Sequence, residues 1–487
     1  MGSAPTPDPV DTRASLTAQF APALAQRPGL SGFAVLHDGA QALLSRTALA
    51  TQATRRIDLQ YYIYAADHSG LGLLQHLAAA ADRGVKVRLL VDDNNLAVSD
   101  VVAAQVATHP NIEVRVFNPF AGRVRWLRPF EGLLRLKRLN RRMHNKLFMV
   151  DGCVAIVGGR NVGDDYFDAS PQGGFADVDL LAVGPVVAEA QASFDEYWHS
   201  PHAVSPAEFL RRRPARVAVP RLVAKLRESL RPQTRPEPSA EECAAFIGNL
   251  AANPEALAWG QATLVHDPVN KVDALGRRRS AVGTVLVSRW RMAQREVLLA
   301  SAYFVPRRLG LRLVRESVRR GVSVSVLTNS LAANDVALVH VGYARYRRRL
   351  LAAGARLFEF RGGPRAASLH TKLAVFDREY CWVGSFNFDP RSLLLNTEVG
   401  LLVHSPALAE RLAAVFAADT TPDHAWELTR IFHASPKAPL ARHRWVLGWR
   451  GERAGHPVLL EAEPDAPLWR HWLVRLAARI PGLDQVL

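Results

Sequence analysis

Two stretches of this chain carry reactive residue types at one shared spacing. The first reads His144-Asn145-Lys146, then Asp151 after four residues, then Gly158-Gly159-Arg160-Asn161 after six more. The second reads His370-Thr371-Lys372, Asp377 and Gly384-Ser385-Phe386-Asn387 at the same intervals. Both follow H-x-K-x4-D-x6-G-[GS]-x-N. On an extended strand, His and Lys at i and i+2 face the same side and can reach one ligand. A neutral imidazole can displace an alcohol from a phosphodiester, giving a phosphohistidine, while a second imidazole protonates the leaving oxygen. Lys146 and Lys372, with Asn161, Asn387 and the hydroxyl of Ser385, can stabilise charge on the non-bridging oxygens. Each imidazole needs a carboxylate on its other nitrogen to fix tautomer and aim. Asp179 and Glu398, each in an apolar strand after its motif, are the candidates, with Asp177 the alternative to Asp179. Asp151 and Asp377 complete the candidate catalytic set, although their turn positions suit a structural role. No Cys/His cluster has metal-ligand spacing, so neither metal nor cofactor is expected.

The elements that must position these residues come twice. Residues 40 to 54 read as a helix, 57 to 64 as a strand, 71 to 83 as a helix closed by Gly84, and 85 to 91 as a strand. A helix near 100 to 108 and a strand at 113 to 117 follow. In the second half, 296 to 304, 311 to 320 and 322 to 328 repeat the order, and Arg320-Gly321 lies 237 residues after Arg83-Gly84. The expected architecture is two tandem α/β sandwiches with mixed sheets, related by a pseudo-two-fold. Residues 1–35 read as a mobile segment, 36–206 as the first domain and 207–240 as a basic, Pro-rich linker. The second domain is expected over 241–430, and 431–487 reads as a tail carrying an amphipathic helix.

Lys plus Arg number 61 against 45 acids, a net charge of +16, which calls for an anionic partner. Only seven of those cations are lysines, two of them in the motifs. Three cysteines cannot build a disulfide framework and favour a reducing compartment. No run of 18 apolar residues appears, and no signal peptide is read.

At the paired motifs the chain resembles the phospholipase D superfamily, over about residues 50 to 430. The resemblance implies one active site between the two halves and a metal-free phosphohistidine route, with His144 the nucleophile and His370 the general acid. The run Gly158 to Phe167, the segment Asn334-Asp335 through His340 to Arg347, and Glu463-Pro464 to Arg470 are similar to bacterial cardiolipin synthases of the subgroup without N-terminal transmembrane helices. That likeness implies formation of cardiolipin from phosphatidylglycerol, with phosphatidylethanolamine a candidate co-substrate. It also implies a peripheral position on the cytoplasmic face of the bacterial inner membrane. The alternative is a hydrolytic phospholipase D; a nuclease ranks lower, because the cations alternate with Trp and Leu and no base-stacking groove is evident. Two stretches read as contacts with an anionic bilayer. One is 123 to 142, with eight cations among Trp126, Phe130 and five leucines. The other is the tail helix with Trp469, Trp472, Leu473, Leu476 and Ile480 on one face.

Overall fold

The computed structural model describes residues 15–93, 100–120, 140–171, 173–210, 214–228, 230, 238–273, 279–363, 366–432 and 445–477. The first half contributes β1 (Ser31–Leu36), β2 (Arg56–Tyr61), β3 (Lys86–Asp92), β4 (Ile112–Phe117), β5 (Leu147–Val150), β6 (Val154–Gly158), β7 (Gly174–Ala176), β8 (Asp179–Val183) and β9 (Ala203–Val204). The second contributes β10 (Ala258–His266), β11 (Glu296–Ser301), β12 (Ser323–Asn329), β13 (Arg356–Phe360), β14 (Ala366–Leu369), β15 (Lys372–Phe376), β16 (Tyr380–Gly384) and β17 (Val399–His404). Then come β18 (Ala425–Phe432), β19 (Trp445–Arg453) and β20 (His456–Leu460).

Pairing in the first half runs β9-β4-β3-β2-β5-β6-β8-β1. In the second it runs β10-β17-β16-β15-β11-β12-β13-β18-β19-β20. β2-β3-β4 and β11-β12-β13 are parallel and the other pairs in these rows antiparallel, so each half is a mixed sheet. The two rows mirror one another about the antiparallel β1–β10 pair, where Gly32 faces Trp259. That pair is the seam of the pseudo-two-fold.

Three apolar layers follow from the alternation of side chains. One face of the first sheet packs on the helices Gly39–Gln52 and His68–Asp82, with Leu49, Leu59, Leu77 and Val91 in its core. One face of the second packs on Ala281–Met292 and Arg307–Arg319 around Trp290, Val314 and Val326. The inner faces share a central core, where Leu180 and Phe194 of the first half join Leu401 and Leu412 of the second. The motifs open onto this central layer.

Three expected boundaries shift. The helix Leu16–Ala25 lies within the segment read as mobile, yet it buries Ala23 and packs Leu16 and Phe20 into the first core. The helix Ala240–Ala252, assigned to the second domain, packs its Cys243, Ile247 and Leu250 into the same first-half core. Its Ser239 capping box starts it cleanly after the Pro-rich run, so sequence order hid which sheet it covers. The stretch between the halves, read as a helix and linker, does contain a helix, Val219–Arg227, with Val219, Leu222 and Val223 buried. Beyond 430, read as a tail carrying a helix, the helix Leu468–Ala477 is present, but β18, β19 and β20 widen the second sheet before it. The basic stretch expected at the membrane lies outside the described residues except for 140–142.

Candidate active site

The two motif histidines stand just ahead of β5 and at the junction of β14 with β15, and each is fixed from the opposite half. Met143 bridges Thr397, His144 N–H donates to the Thr397 carbonyl at 3.0 Å, and Thr397 N–H donates back to the Arg142 carbonyl at 3.0 Å. This short cross-link brings Glu398 beside His144, its Oε2 2.9 Å from Nδ1. At the second histidine, β14 pairs in parallel with β7, and His370 N–H donates to the Ala176 carbonyl at 2.7 Å. That ribbon delivers Asp177, whose Oδ2 lies 2.6 Å from His370 Nδ1. Both partnerships cross between halves. With each Nδ1 engaged, Nε2 is the nitrogen left for a substrate.

Asp179, a candidate for orienting one of the two histidines, does something else. It sits in the β8 ladder opposite Gly158 and accepts from Arg46 Nη2 at 2.8 Å and from Arg160 N–H at 3.1 Å. Asp177 precedes that ladder, where the backbone has crossed to the other half, so its carboxylate reaches His370. Glycine at 159 leaves the necessary room: a Cβ there would come within 2.1 Å of Asp177 Oδ1. Ser385, the equivalent position in the second motif, was expected to touch phosphate. Its hydroxyl instead donates to Glu398 Oε2 at 2.5 Å and accepts from Val399 N–H at 3.0 Å, so it serves the carboxylate.

Asp151 and Asp377 stand apart from the reacting groups. Each occupies a left-handed turn, at φ 52° and 58°. Asp151 accepts from the backbone of Thr54, Arg55 and Arg56 at 2.8–2.9 Å. Asp377 accepts from that of Gln294, Arg295 and Glu296 at 2.7–3.0 Å. Expected as catalytic candidates, they are structural instead: they tie the motif hairpin to the chain entering β2 and β11. Lys146 Nζ donates to the His144 carbonyl at 2.7 Å, and Lys372 Nζ does the same to the His370 carbonyl, so each ammonium curls under its own histidine. Asn161 Oδ1 accepts from Ile63 N–H at 3.1 Å, whereas Asn387 Oδ1 is buried without a hydrogen-bond partner.

Two residues have supporting roles that residue order did not convey; Asp92, with Asp93, had read as a capped strand end or a cation site. Asp92 closes β3 and accepts from Met143 N–H at 2.9 Å and from Arg142 Nε at 2.7 Å. Asn329 closes β12 and accepts from Leu369 N–H at 2.8 Å. Both therefore hold the backbone directly ahead of a motif histidine. They lie 237 residues apart, the offset of the Arg-Gly pairs, and that was the available signal. His340 is buried and faces Glu463 at 2.8 Å. Glu463 also binds Arg347, which in turn pairs with Glu359. The cluster thus fastens the C-terminal segment to the helix Ala337–Ala352.

The walls are aromatic. Tyr62 meets the His144 ring edge-on at 5.0 Å, and Tyr166 and Phe175 flank His370 at 5.3 and 5.2 Å. Each histidine is only 7% exposed. Burial, reinforced by the two lysines, holds both imidazoles well below their ordinary range, so both are neutral near pH 7. Burial likewise raises Glu398 to about 7 and raises Asp177, and it lowers Lys372 to about 8 and Lys146 well below its usual value. With the lysines charged and the carboxylates ionised, these four charges cancel. An entering phosphodiester adds one negative charge, which favours a proton on the imidazole paired at 2.6 Å with Asp177.

Comparison with known proteins identifies the family. The family "Cardiolipin synthase, PLD-like domain" matches residues 47–198 and 286–420. Cardiolipin synthase C of Escherichia coli K12 is 38% identical over 481 residues, covering 96% of this chain and 98% of that protein. Cardiolipin synthase B of Shigella flexneri is 27% identical, covering 85% and 88%. Among solved structures, phosphatidylserine synthase from Haemophilus influenzae Rd KW20 shares the fold, with a TM-score of 0.59 at 15% identity over 96% of this chain and all of the other. The chain belongs to the phospholipase D superfamily, as a cardiolipin synthase-type phosphatidyltransferase.

Proposed function

We propose that this enzyme forms cardiolipin by two displacements at one phosphorus. His144 Nε2 attacks the phosphodiester of a donor phospholipid; the P–N bond forms, the P–O bond to the headgroup alcohol breaks, and His370 gives that oxygen its proton. The primary hydroxyl of phosphatidylglycerol then enters, His370 takes its proton, and the new P–O bond replaces P–N. Phosphatidylglycerol is the acceptor, and phosphatidylglycerol or phosphatidylethanolamine the donor. The observation that carries this reading is the crossed pair His144–Glu398 and His370–Asp177, two buried imidazoles each engaged by a carboxylate at Nδ1. The lysine ammoniums, with the side-chain amides of Asn161 and Asn387, supply donors for the phosphoryl oxygens. Aromatic walls that limit water favour a lipid hydroxyl as acceptor.

The same reading puts the enzyme peripherally on an anionic membrane, at its cytoplasmic face. No helix among the described residues is long and apolar enough to cross a bilayer, and the charge of +16 suits anionic lipid. Purified protein given labelled phosphatidylglycerol, with and without phosphatidylethanolamine, should yield labelled cardiolipin with release of glycerol or ethanolamine. Phosphatidic acid as the sole product would establish hydrolysis instead.

A further inference from the structure

We infer that the helix Leu468–Ala477 and the chain entering Ala337–Ala352 form the surface that seats the mouth of the active site on an anionic bilayer. The inference rests on the lipid reading above and adds the contact face. Ten large apolar residues are exposed among the described residues, and six of them gather here: Val336, Leu338, Leu468, Trp469, Trp472 and Leu476. Trp469 and Trp472 expose 60% and 63%. Positions 469, 472 and 476 fall on one stripe of the helix.

The helix is already fastened by its other side. Arg470 Nη1 donates to the carbonyls of Leu331, Ala332 and Asn334 at 2.8–2.9 Å, and Glu463 just upstream is held by His340 and Arg347. Docking on its own domain therefore does not cover the tryptophans. The loop gripped by Arg470 continues into Asp335, whose carboxylate accepts from Tyr303 Oη at 2.8 Å. Asp335 also acts electrostatically on Lys372 and on Tyr166, the ring beside His370. Apolar stripe and reacting histidine thus flank one short loop. This places the loop beside one route by which the acyl chains of a phospholipid at His370 can leave the site. Tryptophans on a strongly cationic protein fit the headgroup region of anionic lipid, and the continuity with the site favours a bilayer over a protein partner.

The test compares wild type with Trp469→Gln/Trp472→Gln in flotation with phosphatidylglycerol vesicles, alongside turnover of monomeric short-chain phosphatidylglycerol. The expected result is a loss of vesicle binding of about tenfold or more, with short-chain turnover unchanged as proof of a folded site. Wild-type tryptophan emission should also shift to the blue on vesicles, and the shift should vanish in the variant. Undiminished flotation of the variant overturns the inference. So does a change in oligomeric state at equal flotation, which would make the stripe a contact between copies. Tryptophan-dependent flotation by a protein that makes no cardiolipin would leave the surface standing and remove only the reaction.

Discussion

Nδ1 of each motif histidine faces a carboxylate, so what distinguishes the two sites is the carboxylate's length and support. Glu398 reaches His144 with help from the Ser385 hydroxyl, whereas the shorter Asp177 reaches His370 over the bare backbone of Gly159. Asp177→Asn and Glu398→Gln should each lower kcat by roughly 10²–10⁴-fold with little change in KM, because tautomer and aim are lost while binding remains. Asp179→Asn should instead show up as a lower Tm, since it strands the buried Arg46, with the pH profile unmoved. Catalysis needs Glu398 ionised. Because burial lifts it to about 7, kcat/KM should fall as pH drops through that value. Lys372, lowered to about 8, should close the alkaline side as its charge is lost. Ser385→Gly removes a hydrogen bond that favours the carboxylate form, so the acid limb should move to higher pH. Initial rates across pH 5 to 9 check both statements.

Among the elements, the two hairpin turns repay the closest comparison. Asp151 and Asp377 each accept three backbone N–H groups from the segment ahead of a central strand. Replacing either by Ala should cost about 2–4 kcal/mol in denaturant unfolding, by stranding those donors, while surviving protein keeps its pH profile. The invariance of spacing between the two motifs made these turns and the strands around them readable from residue order. What that order could not convey was which residues face each other across halves. Asp177 and Asp179 have the same type and nearly the same neighbours, and only the point where the β8 ladder begins separates them. Aligning the halves by register would have paired them correctly, since Gly158 faces Asp179 while Gly384 faces Gly400, making Asp177 the counterpart of Glu398. The helix Ala240–Ala252 was assigned to the wrong half for a related reason. An amphipathic stripe shows that a face is buried, not against what.

For the molecule as a whole, the pseudo-two-fold yields one site from two motifs. Mixing His144→Ala with His370→Ala should therefore leave turnover at the level of either alone, provided each chain closes its own site. Recovery toward wild type in that assay would show exchange of halves between chains. The crossed carboxylates also have a temporal consequence. During synthesis His144 emerges 254 residues before Glu398, and until that acid arrives its Nδ1 lacks the carboxylate that meets it in the folded chain. On the proposed mechanism the attacking nitrogen is therefore armed last, and a translation product that stops before residue 398 is expected to leave the lipids it meets uncut.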